Sequence, residues 1–240
     1  MTVETIWAQL ESDMEWRQAE IRALANLHSA TPKEDDRVHI RRAMLVMLYA
    51  HIEGFCKNAF TTYVNAVNRS KISCSDAIEE IAAGAFSEIF HALQYGDRKQ
   101  KVFQKPPPED EGLAIFYRQA EFFAELPGFL QRHVNLSESV VNTEDNLSSK
   151  VVERNVVRLG LPRDLLRSHY ADLNELVNRR NNIAHGGGGD LVKNTDYERL
   201  EKSAFRAMDE LALTIVTAIE NTHYARLRNT PVAPGLDAPA

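Results

Sequence analysis

The segment from Ala43 to Phe55 constrains the fold most, because its residues are apolar on nearly every face of a helix. A helix without a polar face is buried among other helices. Period-two alternation of apolar and polar residues, which marks a half-buried strand, is sustained nowhere in the chain. The sequence therefore predicts an all-α bundle with this segment in its central helix.

Helical periodicity recurs along the chain between proline, glycine and polar breaks, and it predicts seven helices. They are expected at residues 3–28, 37–68, 73–93, 113–129, 151–159, 168–184 and 196–222. Residues 97–112 hold three consecutive prolines between charged runs and are expected to form a long, exposed loop excursion. Residues 224–240 are rich in Pro and Ala and are expected to be a disordered tail. We therefore expect a single α-helical domain over residues 1–223.

Composition excludes some partners. The 240-residue chain has a net charge of −6, which argues against a protein that binds nucleic acid over its whole surface, since such binding needs many Lys and Arg contacts to phosphates. A local phosphate site stays compatible with this charge, because charges beyond a Debye length are largely screened. Cys56 and Cys74 are too few for a disulfide framework or a cysteine-rich zinc site, and we expect buried, reduced thiols.

No stretch approaches the run of about eighteen apolar residues that a membrane-spanning helix needs. The first residues, MTVETIWAQLESDMEW, carry acids within their apolar pattern and lack a basic start and a cleavage site. We therefore expect a cytoplasmic protein with no membrane contact. The histidines are scattered, with no His-x3-His or HExxH pair, so we expect neither a metal site nor a cofactor.

The helix expected at residues 168–184 ends at four glycines and carries a charge where its apolar stripe continues. Leu173, Leu176 and Val177 define the stripe, and Arg180 occupies the position one turn later. A guanidinium on an inward face is costly unless it is paired. Arg180 is therefore expected either to reach the rim or a carboxylate, or to serve a functional site.

Two further residues of the same helix end bear on this choice. Asn181 and His185 are four residues apart and share a face, whereas Arg180 and His185 are about 140° apart on an ideal helix. A histidine, an arginine and an amide within one and a half turns suit phosphate chemistry. A helix C-cap in which His185 only satisfies the last carbonyls explains the same residues equally well.

The segment RNNIAH, Arg180 to His185, resembles the Arg-x4-His motif of the HEPN superfamily, including a polar residue directly after the arginine. It lies on the penultimate predicted helix, before a glycine turn and a last long helix, as in that family. The segment LYAHIEGFCKNAFTTYV also resembles an early helix of prokaryotic HEPN domains from toxin–antitoxin and defence loci. The resemblance covers about residues 37–221 and implies an up-and-down HEPN bundle, here with extra helices.

The resemblance implies a metal-independent endoribonuclease, a toxin or defence effector, that leaves 2′,3′-cyclic phosphate and 5′-OH ends. By position, Arg180 and His185 become the catalytic pair and Asn181 a supporting polar residue. The family pattern also implies a homodimer with a composite site at its interface, and an antitoxin or defence partner. The alternative is a non-catalytic HEPN module that binds nucleotides or a partner protein and cuts nothing.

Three other polar residues are weaker candidates for this site. His51 and Glu53 interrupt the apolar run of the central helix, and either side chain could reach the cleft to orient His185 or Arg180. Glu53 also lies four residues before Lys57, which predicts a surface ion pair equally well. Arg179 could contact RNA phosphate, although a solvated side chain is the commoner case.

Overall fold

The computed structural model describes residues 2–95, 103, 109–142, 146–186 and 192–226. Within these residues the chain forms eight α-helices, two short 3-10 helices and no β-strand, so the all-α prediction is confirmed. The α-helices are α1 (Val3–Ala30), α2 (Glu34–Ser70), α3 (Glu79–Ala85), α4 (Ser87–Tyr95), α5 (Glu111–Gln131), α6 (Ser149–Arg158), α7 (Tyr170–Ala184) and α8 (Asn194–Glu220). None of these described helices is both long and apolar enough to cross a lipid bilayer.

α2 is the central helix, as the apolar run from Ala43 to Phe55 predicts. It packs against α1, α7 and α8, and its residues Met44, Leu48 and Ile52 are almost fully buried. The 27-residue α8 presents one buried stripe to it. This stripe comprises Leu200, Ala204, Met208, Leu211 and Ile215.

Both cysteines are free and buried, as predicted. Cys56 lies on α2 within the core, where burial raises the pKa of its thiol to about 12. Cys74 lies in the segment after α2, and burial raises the pKa of its thiol too. Both thiols are therefore expected to be unreactive at neutral pH, since the thiolate is the nucleophile.

The single helix predicted at residues 73–93 differs from the structure in two ways. Its first third, residues 73–78, is not helical, and the remainder is divided at Phe86 into α3 and α4. Residues 73–78 instead pair with two segments distant in sequence. The amide of Cys74 donates to the carbonyl of Arg132, and the amide of Ile78 donates to the carbonyl of Tyr224. These bonds satisfy backbone groups that a helix would have used internally.

The second of these pairings also corrects the predicted boundary of the tail. Tyr224 is buried, Ala225 forms a β-bridge with Ala77, and the amide of Arg226 donates to the carbonyl of Asp76. The folded chain therefore extends at least to Arg226. The rest of the predicted tail, residues 227–240, lies outside the described residues.

The predicted loop excursion at residues 97–112 is corrected at two places. Phe103 is buried, with its ring centroid 6.3 Å from that of Phe129 and 5.0 Å from the guanidinium carbon of Arg118. The following helix, α5, already begins at residue 111, capped by the carboxylate of Asp110, and continues through Pro127 to residue 131. Residues 97–102 and 104–108 lie outside the described residues.

α6 and α7 are joined through side chains at the start of α6. The amide oxygen of Asn174 accepts from the backbone N–H of Ser149 at 2.9 Å, and its nitrogen donates to the hydroxyl of Ser149 at 2.9 Å. α6 ends at Arg158, one residue before the predicted end, and Gly160 follows with a φ of 62°, the left-handed conformation that favours glycine after a helix. These contacts fix the start of α7, which carries the predicted motif at its other end.

Candidate functional site

Arg180 lies half-buried at the contact between α7 and α2. Its guanidinium carbon is 4.8 Å from the ring centroid of Tyr49, so the cation rests on an aromatic face. One terminal nitrogen donates to the amide oxygen of Asn181 at 2.8 Å. Within the described chain this is the only hydrogen bond of the guanidinium, which leaves several of its five N–H donors for an external ligand.

Tyr49 is a buried support for Arg180. Only 1% of the residue is exposed. Its hydroxyl donates to a carboxylate oxygen of Glu53 at 2.8 Å and accepts from the backbone N–H of Leu147 at 2.8 Å. Burial raises the pKa of the Tyr49 hydroxyl, and the hydrogen bond to Glu53 adds to this rise. The hydroxyl therefore stays protonated and keeps its role as donor at physiological pH.

Glu53 lies on the same face of α2 as Tyr49, one helical turn further on, and is half-buried. It reaches Arg180 only through the Tyr49 hydroxyl. In the described part of the chain no ion pair joins Glu53 to Lys57, so the surface pairing is not what holds this carboxylate. Glu53 therefore belongs to the surroundings of the motif but does not touch its arginine.

His51 lies on the other side of α2, because two residues correspond to about 200° of rotation around a helix. Its ring packs edge-on against Trp16, with centroids 5.3 Å apart, and its Nε2 is 3.1 Å from a carboxylate oxygen of Glu20. Burial lowers the pKa of His51, and Glu20 opposes this effect. The structure thus places His51 against α1 and does not bring it to Arg180, in contrast to the expectation from sequence.

Arg179 joins α7 to α8. Its Nε donates to Glu175 at 2.8 Å, and one terminal nitrogen donates to Asp196 at 3.1 Å. Glu175 and Asp172 also bind Arg199 of α8. The Arg179 guanidinium is therefore held by carboxylates, which favours a structural role over contact with a phosphate.

His185 is the C-cap residue of α7. Its backbone N–H donates to the carbonyl of Asn181 at 2.9 Å, so the backbone fulfils the capping role. Its side chain is exposed and has no hydrogen-bond partner among the described residues. Gly186 follows with a φ of 81° and turns the chain away from the helix axis. The imidazole is thus available to an external ligand, beside Asn181 on the same face.

The structure brings Arg180, Asn181 and His185 to one end of α7 and adds Tyr49, which sequence reasoning missed. A signal for Tyr49 was present, because it lies four residues before Glu53 on an otherwise apolar helix. Nothing in the sequence, however, paired that face of α2 with α7. No group of three His, Cys, Asp or Glu side chains in the described residues is arranged to hold a metal ion.

One protein family matches the chain over nearly its whole length. The model of the family described as MAE_28990-like HEPN matches residues 6–224. The match therefore includes α1, which lies before the region that the motif resemblance covers. No curated protein and no solved structure matches the chain.

We predict that Tyr49→Phe, which removes the Tyr49 hydroxyl, lowers the stability of the protein. The buried N–H of Leu147 would lose its acceptor, so the free energy of unfolding should fall by about 1–3 kcal/mol in urea denaturation. Tyr170→Phe is the matched control, because the Tyr170 hydroxyl is buried without a partner in the described chain and its loss should cost nothing. Equal stability of the two variants would show that the Tyr49 hydroxyl does not hold the Leu147 segment.

Proposed function

The chain belongs to the MAE_28990-like HEPN family, and we propose that it is a metal-independent endoribonuclease. One observation carries the proposal: α7 ends with an exposed imidazole at His185, which has no hydrogen-bond partner among the described residues, and a half-buried guanidinium at Arg180 that rests on Tyr49. These are a proton-transfer group and a phosphate ligand at the end of one helix. Asn181 lies between them in sequence and orients the guanidinium.

The proposed reaction uses the nucleophile that RNA itself supplies. The 2′-oxygen forms a bond to phosphorus as its proton passes to an imidazole, and the bond from phosphorus to the 5′-oxygen breaks as that oxygen gains a proton. Arg180 stabilises the negative charge on the phosphorane through its planar fork of N–H donors. The products are a 2′,3′-cyclic phosphate and a 5′-hydroxyl. None of the bond changes in this proposed reaction uses a metal ion or cofactor.

We propose further that the enzyme is a homodimer. One chain offers one arginine and one histidine, about 140° apart around α7 on ideal geometry. Two proton transfers and charge stabilisation need groups on several sides of the phosphate. A two-fold interface built from the end of α7 would double the set and use one self-complementary surface.

The proposed biological role is that of a cytoplasmic toxin or defence effector. An RNase active in the cell that makes it needs restraint, so the proposal includes an antitoxin or a regulatory defence protein as partner. RNA is the substrate. A protein that is folded but cuts nothing would instead be a HEPN module that binds nucleotides or a partner.

The first prediction concerns cleavage. Pure protein should cut single-stranded RNA in the presence of EDTA, and His185→Ala or Arg180→Ala should lower the rate by about 10²- to 10⁴-fold. His223→Ala is the matched control, since His223 is also exposed but follows α8. Products are assigned by their end groups. Equal cleavage by the wild type and His185→Ala would show that the site is wrongly assigned, and no cleavage by the wild type would favour the non-catalytic module.

A second prediction tests the composite site. Arg180→Ala and His185→Ala chains, each inactive as a homodimer, are co-expressed with different tags and purified as the mixed dimer. In the mixed dimer one chain keeps Arg180 and the other keeps His185, and in a composite cleft these two residues face each other across the interface. The mixed dimer should therefore be well above each homodimer in activity, since each homodimer has lost about 10²-fold or more. A mixed dimer without activity, or a fully active monomer in light scattering, would contradict the shared site.

A third prediction concerns toxicity. Expression of the wild-type chain in bacteria should arrest growth, because cleavage of cellular RNA stops translation. His185→Ala, expressed to the same soluble level, should not. Growth curves with matched immunoblots measure the difference. Harmless expression of soluble, folded wild-type protein would contradict the toxin role.

A further inference from the structure

A polar cavity of about 740 Å³ lies apart from Arg180, where the first turns of α2 and α8 meet the last turn of α1. Its lining combines a histidine, three cations and three acids: His28, Arg37, Arg41, Lys193, Glu34, Glu198 and Glu201. The endoribonuclease proposal assigns no role to these residues. Their arrangement has the features of a site for a phosphate group.

Two helix N-termini meet at this cavity. Glu34 and Arg37 belong to the first turn of α2, and Lys193 is the N-cap residue of α8. In neither helix do the first amides donate a hydrogen bond to the side chain of the N-cap residue. Helix N-termini carry partial positive charge and exposed N–H donors, which favour anions.

Arg41 supplies a fixed cation at the cavity. The residue is 7% exposed, and its guanidinium donates to the carbonyl of Val192 at 3.0 Å and lies 3.0 Å from Nε2 of His28. Its remaining partner is a carboxylate oxygen of Glu34 at 2.6 Å, and the other oxygen of Glu34 is 3.1 Å from Nε of Arg37. The Glu34 side chain is 59% exposed. A carboxylate that is free to swing out thus occupies the place between two guanidinium groups.

Two buried donor groups at the cavity lack a hydrogen-bond partner in the described chain. Tyr197, which lines it, is 3% exposed and has a buried hydroxyl without a hydrogen-bond partner in the described chain. Nε of Arg37 is buried too and lies near Glu34 without the alignment of a hydrogen bond. Of the other acids, Glu198 accepts from Asn194. Glu201, half-buried one turn after Tyr197, has a carboxyl whose pKa is raised by burial and by Glu198, which favours its neutral form. A buried polar group that lacks a partner is costly, so these donors favour a ligand rich in acceptor oxygens.

The cavity is within reach of a strand bound at the motif. Arg41 and Tyr49 are eight residues apart on α2, which corresponds to about 12 Å along the helix. On the other side, Arg179 binds Asp196, the neighbour of Tyr197 in α8. Grooves for single-stranded nucleic acid span several nucleotides, so one strand can occupy both places.

We propose that this cavity binds a backbone phosphate of the RNA strand, a few nucleotides from the phosphate at Arg180, and that Glu34 takes its place when no RNA is bound. The identity of the ligand rests on the proposed function. Phosphate oxygens would replace the Glu34 carboxylate on Arg37 and Arg41 and supply an acceptor for the Tyr197 hydroxyl. Glu34 thereby acts as a competitor that weakens binding.

Binding is measured by fluorescence anisotropy of a labelled single-stranded RNA in EDTA, in the His185→Ala background so that no cleavage occurs. Glu34→Gln should tighten binding about threefold. Asp35→Asn is its matched control, because Asp35 is exposed in the same turn, does not line the cavity and loses the same charge. Arg37→Gln should weaken binding about threefold and lower the slope of log affinity against log salt by about 0.7, whereas Arg22→Gln on the exposed face of α1 should change neither.

Tyr197→Phe tests the cavity with a substitution that should leave the fold intact. Its hydroxyl has no partner in the described protein, so the variant should keep its Tm and still bind RNA about threefold more weakly. Equal effects of Glu34→Gln and Asp35→Asn, or unchanged binding in both Arg37→Gln and Tyr197→Phe, would overturn the site. So would an effect of Glu34→Gln on ATP binding but not on RNA binding, since a free nucleotide would then be the ligand.

The binding experiment and the cleavage assay together separate this site from the endoribonuclease itself. If the wild-type protein cuts RNA but Glu34→Gln and Arg37→Gln leave RNA affinity unchanged, only the proposal for the cavity is overturned. A wild-type protein that cuts nothing, with binding that follows the variants as expected, would overturn the nuclease and support the cavity as an RNA-phosphate site.

Discussion

The position of the motif depends on the contact between the Arg180 guanidinium and the Tyr49 ring. A charge on the inward face of α7 would be costly in an apolar core, and no carboxylate in the described chain neutralises it. An aromatic face attracts the cation electrostatically, by about 1 kcal/mol or more when partly desolvated, and leaves its N–H groups free. This contact therefore lets the apolar core of α2 support a charge that remains available for an external anion.

The Tyr49 hydroxyl extends that support to a third segment of the chain. The ring lies under α7, while the hydroxyl joins Glu53 of α2 and the backbone at Leu147 just before α6. α6 is in turn tied to α7 through Ser149 and Asn174. Arg180 thus rests on a closed set of contacts between α2, α6 and α7. His185 is different, because it is exposed at the helix end and precedes a glycine, so the motif combines a fixed cation with a less constrained imidazole.

Sequence reasoning succeeded where a local pattern decides the outcome and failed where distant segments do. The apolar run of α2 and the stripe of α8 predicted buried helices correctly, because helical periodicity is written in the residues themselves. Residues 73–78 were predicted as helix, but their backbone bonds go to Arg132 and Tyr224, which no local pattern reveals. Tyr49 was missed for the same reason, since its importance comes from α7. Helix geometry alone could have assigned His51 and Glu53 to different faces of α2. Glu53 is four residues after Tyr49 and shares its face, whereas His51 is two residues after Tyr49 and does not.

The proposed function requires an acidic chain to bind a polyanion, and the distribution of its charge bears on how. A net charge of −6 argues against general attraction of the kind that coats nucleic acid. Arg41 is buried against Val192 and Arg180 is half-buried on Tyr49, so both cations are held in place more firmly than surface lysines are. Arg41 belongs to α2, and Arg180 rests on Tyr49 of the same helix, about 12 Å further along it on ideal geometry. A strand that contacts both cations would therefore have to follow this helix. Recognition in the proposed function therefore depends on the path of the RNA backbone across α2 more than on total charge.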